Sequence, residues 1–434
     1  MASALSGPSA LSSGRGSLHM LYRFAWRWHF YVGLLAAPVL LIVSLTGALY
    51  AFEPQLRPIL EPYRVAPACD QCERLAYDRL AQIAQEARPD LTLHALSDPG
   101  RGRTVVFTLE DEAGGAPDRQ LFVDARSGEI LADVDKGGAL LDQLLGLHRR
   151  LLAGPLGHFI VELTTSWVVV TLLLGAMLWW PSRATRAGWW PRPGARGRQR
   201  WRDWHSVAGF YLLPLALMLA FTGVFFSPWA QKAMLGGLYA AGQLPRMYVS
   251  PPRLDAPIDD SAPLASFDTI ITDFSQLARP DEFTLELPHG PDKPIEMNAH
   301  LGHQVDKLYL AAYHPETGER LDAQGWDDLA PGAKAVMLFF PLHTGNILGL
   351  GTQILAAAAS LLMAAITVLG LVMWWLRRPD GRLGLPQRNS ADRPPRWVWV
   401  VVAGAGLLMP AFGLSIPVIA VLLWSTRRVS PAAS

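Results

Sequence analysis

The chain has 434 residues, of which 50% are hydrophobic and 17% are charged, and it contains 16 tryptophans. This composition is typical of a membrane protein with several spans and argues against a soluble enzyme. The formal net charge is only +1, and the presence of only 2 cysteines excludes a disulfide-rich scaffold and a four-thiolate iron–sulfur or zinc site.

The N-terminal residues 1–25 begin with a Ser/Gly/Ala-rich stretch and are predicted to be a disordered cytoplasmic segment. They lack the short apolar core and cleavage site of a signal peptide, so we expect the first apolar run to remain as an uncleaved anchor. Five apolar runs reach the length of about 20 residues that a spanning helix needs. They predict transmembrane helices over residues 26–52, 148–181, 204–228, 343–377 and 397–425, followed by a tail at 426–434.

Arginines are concentrated before the first run and in the loops 182–203 and 378–396. An excess of arginine in short loops marks the cytoplasmic side of a membrane. The N-terminus is therefore expected inside, and the polar blocks 53–147 and 229–342 are expected outside. In a bacterium with two membranes, this places the chain in the inner membrane and both blocks in the periplasm.

The fifth apolar run conflicts with this orientation. Five spans would leave Arg427 and Arg428 outside, although arginines favour the cytoplasmic side. Because Pro410, Gly413 and Pro417 interrupt the run near its middle, a re-entrant hairpin is the alternative to a fifth span.

Two histidine-led patterns occur twice in the chain. The pattern Trp-His-x3-Gly-x4-Pro-x7-Thr-Gly starts around His29 and returns 176 residues later around His205. A second pattern starts at His148 and returns 195 residues later at His343, with glycines, a Trp-Trp pair and an arginine at matched offsets. Matched positions at a constant offset indicate that a unit of two spans has been duplicated.

The two polar blocks repeat as well. Each has a helix-like segment, at 72–87 and at 264–277, followed by stretches that alternate like strands. Each closes on a turn in which Gly128 or Gly318 supplies the positive φ that a tight turn needs. Both blocks are therefore predicted to be small α+β domains.

These motifs resemble the PepSY-associated transmembrane family, which includes inner-membrane ferric-siderophore reductases. The resemblance rests on both Trp-His spans, on the Leu147-His148-Arg149-Arg150-Leu151-Leu152-x-Gly154 opening, and on the turn at 124–131, and it covers about residues 20–380. It implies a four-helix core that binds b-type haem through histidines, with two PepSY-like periplasmic domains. The fifth run and Cys69-x-x-Cys72 depart from shorter members. The chain also lacks the fused flavoprotein domain of some relatives, so a quinol or a cytoplasmic or membrane reductase is left open as the electron donor.

The four repeated histidines are the predicted haem ligands. His29 and His205 precede outward-running spans and His148 and His343 precede inward-running ones, so symmetry predicts two pairs at opposite depths. Neutral imidazole is a good axial ligand, and iron held by two histidines suits electron transfer. We therefore expect two haem b groups. In the alternative, the histidines are interfacial side chains bonded to lipid or to loop carbonyls.

Four other residues are weaker candidates. His158 is a rival haem ligand, but Gln353 takes its place in the second copy. Glu162, the only carboxylate inside a predicted span, is either functional or a neutral acid bonded to Thr or to backbone. Cys69 and Cys72 are expected to form a local disulfide, with a redox-active dithiol as the alternative.

The sequence therefore predicts a dihaem oxidoreductase that reduces a periplasmic iron(III)-siderophore and releases Fe(II). Reduction releases the metal because hard oxygen ligands hold Fe(III) better than Fe(II). No catalytic acid or nucleophile is assigned. The alternative is a membrane-anchored module that binds or regulates a periplasmic partner without catalysis. Membrane lipid is an expected partner. Nucleic acid is not expected, because the arginine-rich loops are interpreted as orientation signals. Homodimerisation is left open.

Overall fold

A computed structural model describes residues 10–68, 73–100, 102–111, 118–258, 262–278, 282–299, 308–379, 384, 386 and 394–429. The chain divides into two compact units. The membrane unit comprises Met1–Leu49, Gly146–Met234 and Ile354–Ser434, and the sheet unit comprises Tyr50–Leu145 and Leu235–Gln353.

The helices in chain order are α1 (Ala10–Tyr50), α2 (Glu53–Leu60), α3 (Tyr77–Ala87), α4 (Leu140–Arg150), α5 (Gly154–Trp179), α6 (Arg186–Trp189), α7 (Gly197–Val224), α8 (Pro228–Ala240), α9 (Arg246–Val249), α10 (Phe267–Ala278), α11 (Pro331–Met337), α12 (Phe339–Thr344), α13 (Leu350–Arg377), α14 (Arg396–Leu408) and α15 (Pro410–Val429). The strands are β1 (Thr92–Asp98), β2 (Val105–Glu110), β3 (Arg119–Val123), β4 (Ile130–Asp135), β5 (Phe283–Glu286), β6 (Ile295–Ala299), β7 (Tyr309–Tyr313) and β8 (Arg320–Gly325).

Four helices of the described residues are long and apolar enough to cross a membrane, and they correspond to four of the five predicted spans. Their spanning segments are His19–Tyr50, Gly154–Ala184, Gly197–Val224 and Leu350–Arg377. Helix α1 already begins at Ala10, where the sequence predicted disorder as far as residue 25.

Small side chains bring these four helices together. Ala36 of α1 packs with Val168 of α5, and Ala216 of α7 packs with Ala359 of α13. Leu172 of α5 contacts both clusters, which joins the helices into one bundle. Alanine suits these positions because small residues let helix backbones approach closely in a lipid environment, where van der Waals contact drives association.

The run at 397–425, predicted as a fifth span, is not one continuous helix. The apolar run is broken at Met409, which has φ −125° and ψ 83° and lies before Pro410. This break is expected because a proline disfavours helical geometry in the residue before it. Gly406 and Gly413 then pack so closely that a Cβ on Gly406 would lie 2.9 Å from the Cα of Gly413. Helices α14 and α15 therefore form a hairpin, the alternative that the prolines favoured.

None of the four repeated histidines stands at the first residue of a spanning helix. His29 and His205 lie within the long helices α1 and α7. His148 lies in the last turn of α4, ahead of α5, and His343 lies in α12, ahead of α13. Leu151 separates α4 from α5 with a left-handed φ of 51°, which explains why the predicted span at 148–181 does not start at its histidine.

The strands of the sheet unit form one antiparallel sheet. Among the described residues it has eight strands in the order β4-β3-β2-β1-β5-β6-β7-β8. Strands β1 to β4 come from the first polar block and β5 to β8 from the second, and each block adds its strands outward from the centre. The two blocks meet where β1 pairs with β5, in a register that places Leu96 opposite Leu285.

The two predicted α+β domains thus share one sheet and one apolar core. Leu80 and Phe107 of the first block belong to the same buried cluster as Ile270 and Leu285 of the second. The predicted helices correspond to α3 and α10, and the predicted turns are present at Gly128 (φ 76°) and Gly318 (φ 71°). The repeat was visible in the sequence, whereas the pairing between its copies was not.

Helices α3 and α10 cap each other. The carboxylate of Asp268 accepts hydrogen bonds from the backbone N–H groups of Tyr77 (2.9 Å) and Asp78 (3.0 Å) at the start of α3. The carboxylate of Asp78 accepts from the N–H of Phe267 (2.7 Å) and from the hydroxyl of Ser266 (2.6 Å) at the start of α10. Each helix therefore depends on the other for N–H acceptors that its own backbone does not provide.

Because each helix is capped by a carboxylate of the other, a substitution in one helix should destabilise the start of the other. Replacing Asp268 with Ala should destabilise α3 by about 1 kcal/mol and speed hydrogen exchange at the Tyr77 and Asp78 amides. The substitution Asp78→Ala should instead speed exchange at Phe267 in α10. Hydrogen exchange of the detergent-solubilised protein measures both. The matched controls Asp268→Asn and Asp78→Asn keep one acceptor oxygen and should show smaller effects. A change confined to the mutated residue's own helix would contradict the exchanged caps.

Candidate membrane histidine site

His29 and His205 face each other inside the membrane unit. They lie at matched positions of the repeat, on α1 and α7, and the centres of their rings are 6.1 Å apart. The ring planes are nearly perpendicular, at 83°. The pair that the sequence predicted at this end of the bundle is therefore brought together.

The Nδ1 atom of each ring is fixed by a backbone carbonyl. His29 Nδ1 lies 3.0 Å from the carbonyl oxygen of Thr171, and His205 Nδ1 lies 3.0 Å from that of Ile366. A carbonyl only accepts hydrogen bonds, so Nδ1 must carry the proton and donate it. In the neutral ring the lone pair is then on Nε2, the form in which histidine binds a metal.

A glycine lies beside each of these rings. A Cβ added to Gly175 would lie 3.1 Å from His29 Cε1, and one added to Gly370 would lie 3.6 Å from His205 Cε1. Both glycines were matched in the sequence repeat at an offset of 195 residues, as are Thr171 and Ile366. Each histidine of the first repeated pattern is therefore held by a carbonyl and a glycine of the second.

Both rings line a cavity of about 970 Å³ within the membrane unit. Most of its wall is apolar and comes from all four spans, with Leu40, Leu172 and Met363 as examples. The polar part of the wall carries five arginines and one acid, Asp203. The cavity is thus large and apolar around the imidazoles and positively charged where the arginines lie.

His148 is held in the same way as the first pair. Its Nδ1 lies 3.0 Å from the carbonyl oxygen of Val43 and 3.1 Å from the hydroxyl of Thr46. A Cβ on Gly47 would lie 2.9 Å from its Cε1, so only glycine fits there without a shift. Thr46 and Gly47 of the first repeated pattern therefore contact a histidine of the second pattern, His148.

His343 belongs to the sheet unit, so the predicted pairing of His148 with His343 stays a prediction. The rival ligand His158, in α5, has a structural contact instead. His158 is half-buried and bonds to the backbone of Phe226, and it does not line the cavity that holds His29 and His205. Cys69 and Cys72 lie outside the described residues.

Glu162 caps a helix. Its side chain is fully buried, and it accepts hydrogen bonds from the backbone N–H groups of Trp229 (3.1 Å) and Ala230 (2.9 Å) at the start of α8. A carboxylate is favoured there because the first N–H groups of a helix lack partners and carry partial positive charge. Of the two interpretations, the structure thus supports the bond to backbone.

Comparison with known families gives one finding. The family described as PepSY-associated TM region matches residues 26–377 of the chain, which includes His29, His148, His205 and His343. No curated protein matches the chain.

The contacts of Glu162 predict a role in stability. Replacing it with Ala should leave two buried N–H groups without an acceptor, at a cost of about 1–3 kcal/mol. Hydrogen exchange at Trp229 and Ala230 should accelerate and the unfolding temperature should fall. Glu162→Gln keeps one acceptor oxygen, so its effect on stability and on hydrogen exchange should be smaller than that of Glu162→Ala. If Gln and Ala were equally disruptive and exchange at both amides stayed unchanged, the capping role would be excluded.

Proposed function

The chain belongs to the PepSY-associated TM region family, and from that premise we propose that it is a membrane electron-transfer protein that binds b-type haem. The observation that carries the proposal is the distance between the His29 and His205 rings. Both imidazoles present a lone-pair nitrogen in a cavity large enough for a macrocycle.

The residues present fit haem. Imidazole nitrogen binds a first-row metal at about 2.0 Å, so two imidazoles on opposite sides of one iron have ring centres about 6 Å apart. The rings of His29 and His205 are separated by 6.1 Å. The described residues contain no group of three or more His, Cys, Asp or Glu side chains suited to a bare metal ion. A porphyrin supplies four ligands itself and needs only the two histidines.

The chain's own residues define what this site can do. The carbonyls of Thr171 and Ile366 orient the imidazoles and make them stronger ligands, as second-shell acceptors do. If haem binds, His29 and His205 would both hold its iron, which would leave no iron position for oxygen or substrate. Apolar walls from four spans keep water away. Bound haem supplies a carrier for one electron, whose potential such surroundings tune.

We assign a second haem to His148 and His343. His148 supports this because it repeats the arrangement of the first pair, with Nδ1 on a carbonyl and the ring against a glycine. His158 is less suited, because it bonds to the backbone near α8 and has no matched histidine in the second copy.

For the acceptor we propose an iron(III)-siderophore, as the family resemblance implies. One electron converts Fe(III) to Fe(II), for which oxygen ligands have less affinity, so the metal leaves. We place the arginine-rich loops in the cytoplasm and the sheet unit in the periplasm of a bacterial inner membrane. A hairpin in place of a fifth span fits this orientation, because it would keep residues 427 and 428 on the side of Arg396.

The first test is spectroscopic. His29→Ala and His205→Ala should each remove the same haem and leave about half of the haem per chain, because either substitution leaves the iron with one axial ligand. Visible spectra and haem quantification of the purified protein measure this. His158→Ala is the matched control and should retain both haems. A haem-free wild type, made with adequate haem supply, would instead favour the membrane-anchored binding module.

The second arm of the test is electron transfer. Protein reduced with dithionite in liposomes and freed of excess reductant should be reoxidised by a membrane-impermeant iron(III)-siderophore on the sheet-unit side. Fe(II) should be trapped there by a chelator. His148→Ala should stop reoxidation while the haem of His29 and His205 remains reducible. Equal rates with and without His148 would contradict an electron path through the second haem.

The glycines predict an asymmetric effect. Gly175→Ala brings a methyl group within 3.1 Å of His29 and should displace the imidazole, whereas Gly370→Ala leaves an ordinary 3.6 Å contact with His205. Gly175→Ala should therefore lower the haem affinity or change the low-spin spectrum, and Gly370→Ala, its matched control, should resemble the wild type. Equal effects of the two substitutions would contradict these ring positions.

A further inference from the structure

Positive charge collects on one part of the cavity wall. Among the described residues, one acid, Asp203, and five arginines line the cavity, namely Arg23, Arg192, Arg198, Arg202 and Arg377. Asp203 is already engaged, because both of its oxygens lie 2.7 Å from nitrogens of Arg192. Asp203 therefore does not balance the charges of Arg198 and Arg377 as well, and a cavity with such guanidinium groups favours an anion.

Arg198 and Arg377 are the two lining arginines that we consider as partners for such an anion. Neither forms an ion pair with an acid among the residues that the structure describes. Both line the same cavity. Arg377 donates to the carbonyl of Gly384 at 2.8 Å and lies over the rings of Trp26 and Phe30, at 5.0 and 5.1 Å. These contacts orient its guanidinium without neutralising it.

Arg198 and Arg377 occur in only one copy of the repeat. At the matched offset of 176 residues, Arg198 corresponds to Tyr22, and at the offset of 195 residues, Arg377 corresponds to Ser182. The histidines, their carbonyls and their glycines are shared by both copies, but these two guanidinium groups are not. The duplicated unit therefore does not need them to hold its histidines.

We propose that Arg198 and Arg377 bind a carboxylate of the haem held by His29 and His205. This inference rests on the proposed haem function. Haem combines an apolar ring with carboxylates on one edge, and the cavity combines an apolar wall around two imidazoles with arginines in its polar part. Guanidinium is suited to this role because it stays charged and donates two parallel hydrogen bonds to a carboxylate.

The experiment compares haem with its dimethyl ester, in which both carboxylates are blocked. The full-length protein is prepared without haem in detergent, and the dissociation constants of the two forms are measured by absorbance titration. The wild type should bind haem more tightly than the ester, by a factor on the order of ten. In Arg198→Gln and Arg377→Gln this ratio should fall towards unity. Arg377→Lys, which keeps the charge, should retain most of it.

Arg196→Gln is the matched control, because it removes a positive charge from the same segment without altering the cavity lining. It should keep the wild-type ratio. A wild type that binds haem and ester equally well would overturn the role of the arginines and leave the haem function standing. A wild type that binds neither would refute the haem function itself. If the arginine variants keep the ratio but lose affinity for vesicles containing phosphatidylglycerol, the guanidinium groups bind lipid phosphate, and the proposal is wrong.

Discussion

A histidine inside a membrane needs a hydrogen-bond partner for its protonated nitrogen, and this need organises the membrane unit. Water is scarce there, so an unsatisfied ring N–H would cost several kcal/mol. His29 and His205 solve the problem with the carbonyls of Thr171 and Ile366. A helix carbonyl has a second lone pair, so it can accept this bond and keep its place in the helix. Each bond joins two spans and fixes the nitrogen that remains for a ligand.

The glycines follow from the same requirement. An imidazole reaches a backbone carbonyl of a neighbouring helix only if that helix comes close, and a side chain on the facing surface would prevent this. Gly175, Gly370 and Gly47 remove the obstruction beside His29, His205 and His148. The sequence repeat therefore predicted that these histidines and glycines occupy matched positions, but not that each glycine lies beside a histidine of the other pattern. It could not predict the carbonyl partners, because every residue has a carbonyl and side-chain patterns do not distinguish one from another.

Other features depend on contacts that no local pattern encodes. The run at 397–425 has the length and apolar character of a span, but the helix is interrupted at Met409, and the run folds into a hairpin. The pairing of β1 with β5 joins segments separated by nearly two hundred residues, so alternation within each block predicted strands but not one shared sheet. Glu162 resembled a functional carboxylate because its partners, at the start of α8, are distant in sequence.

Duplication also explains where the two copies have to differ. A pair of identical units surrounds the site with two equivalent halves, which is sufficient to place one histidine on each side of a common centre. It gives no preference for either half. The chain breaks the equivalence at a few positions of the cavity, with Arg198 against Tyr22 and Arg377 against Ser182. These replacements do not involve the carbonyls and glycines that contact the histidines. Shared residues therefore set how the histidines are held, and unshared ones set the charge that surrounds them, so the two properties can change separately in a repeated fold.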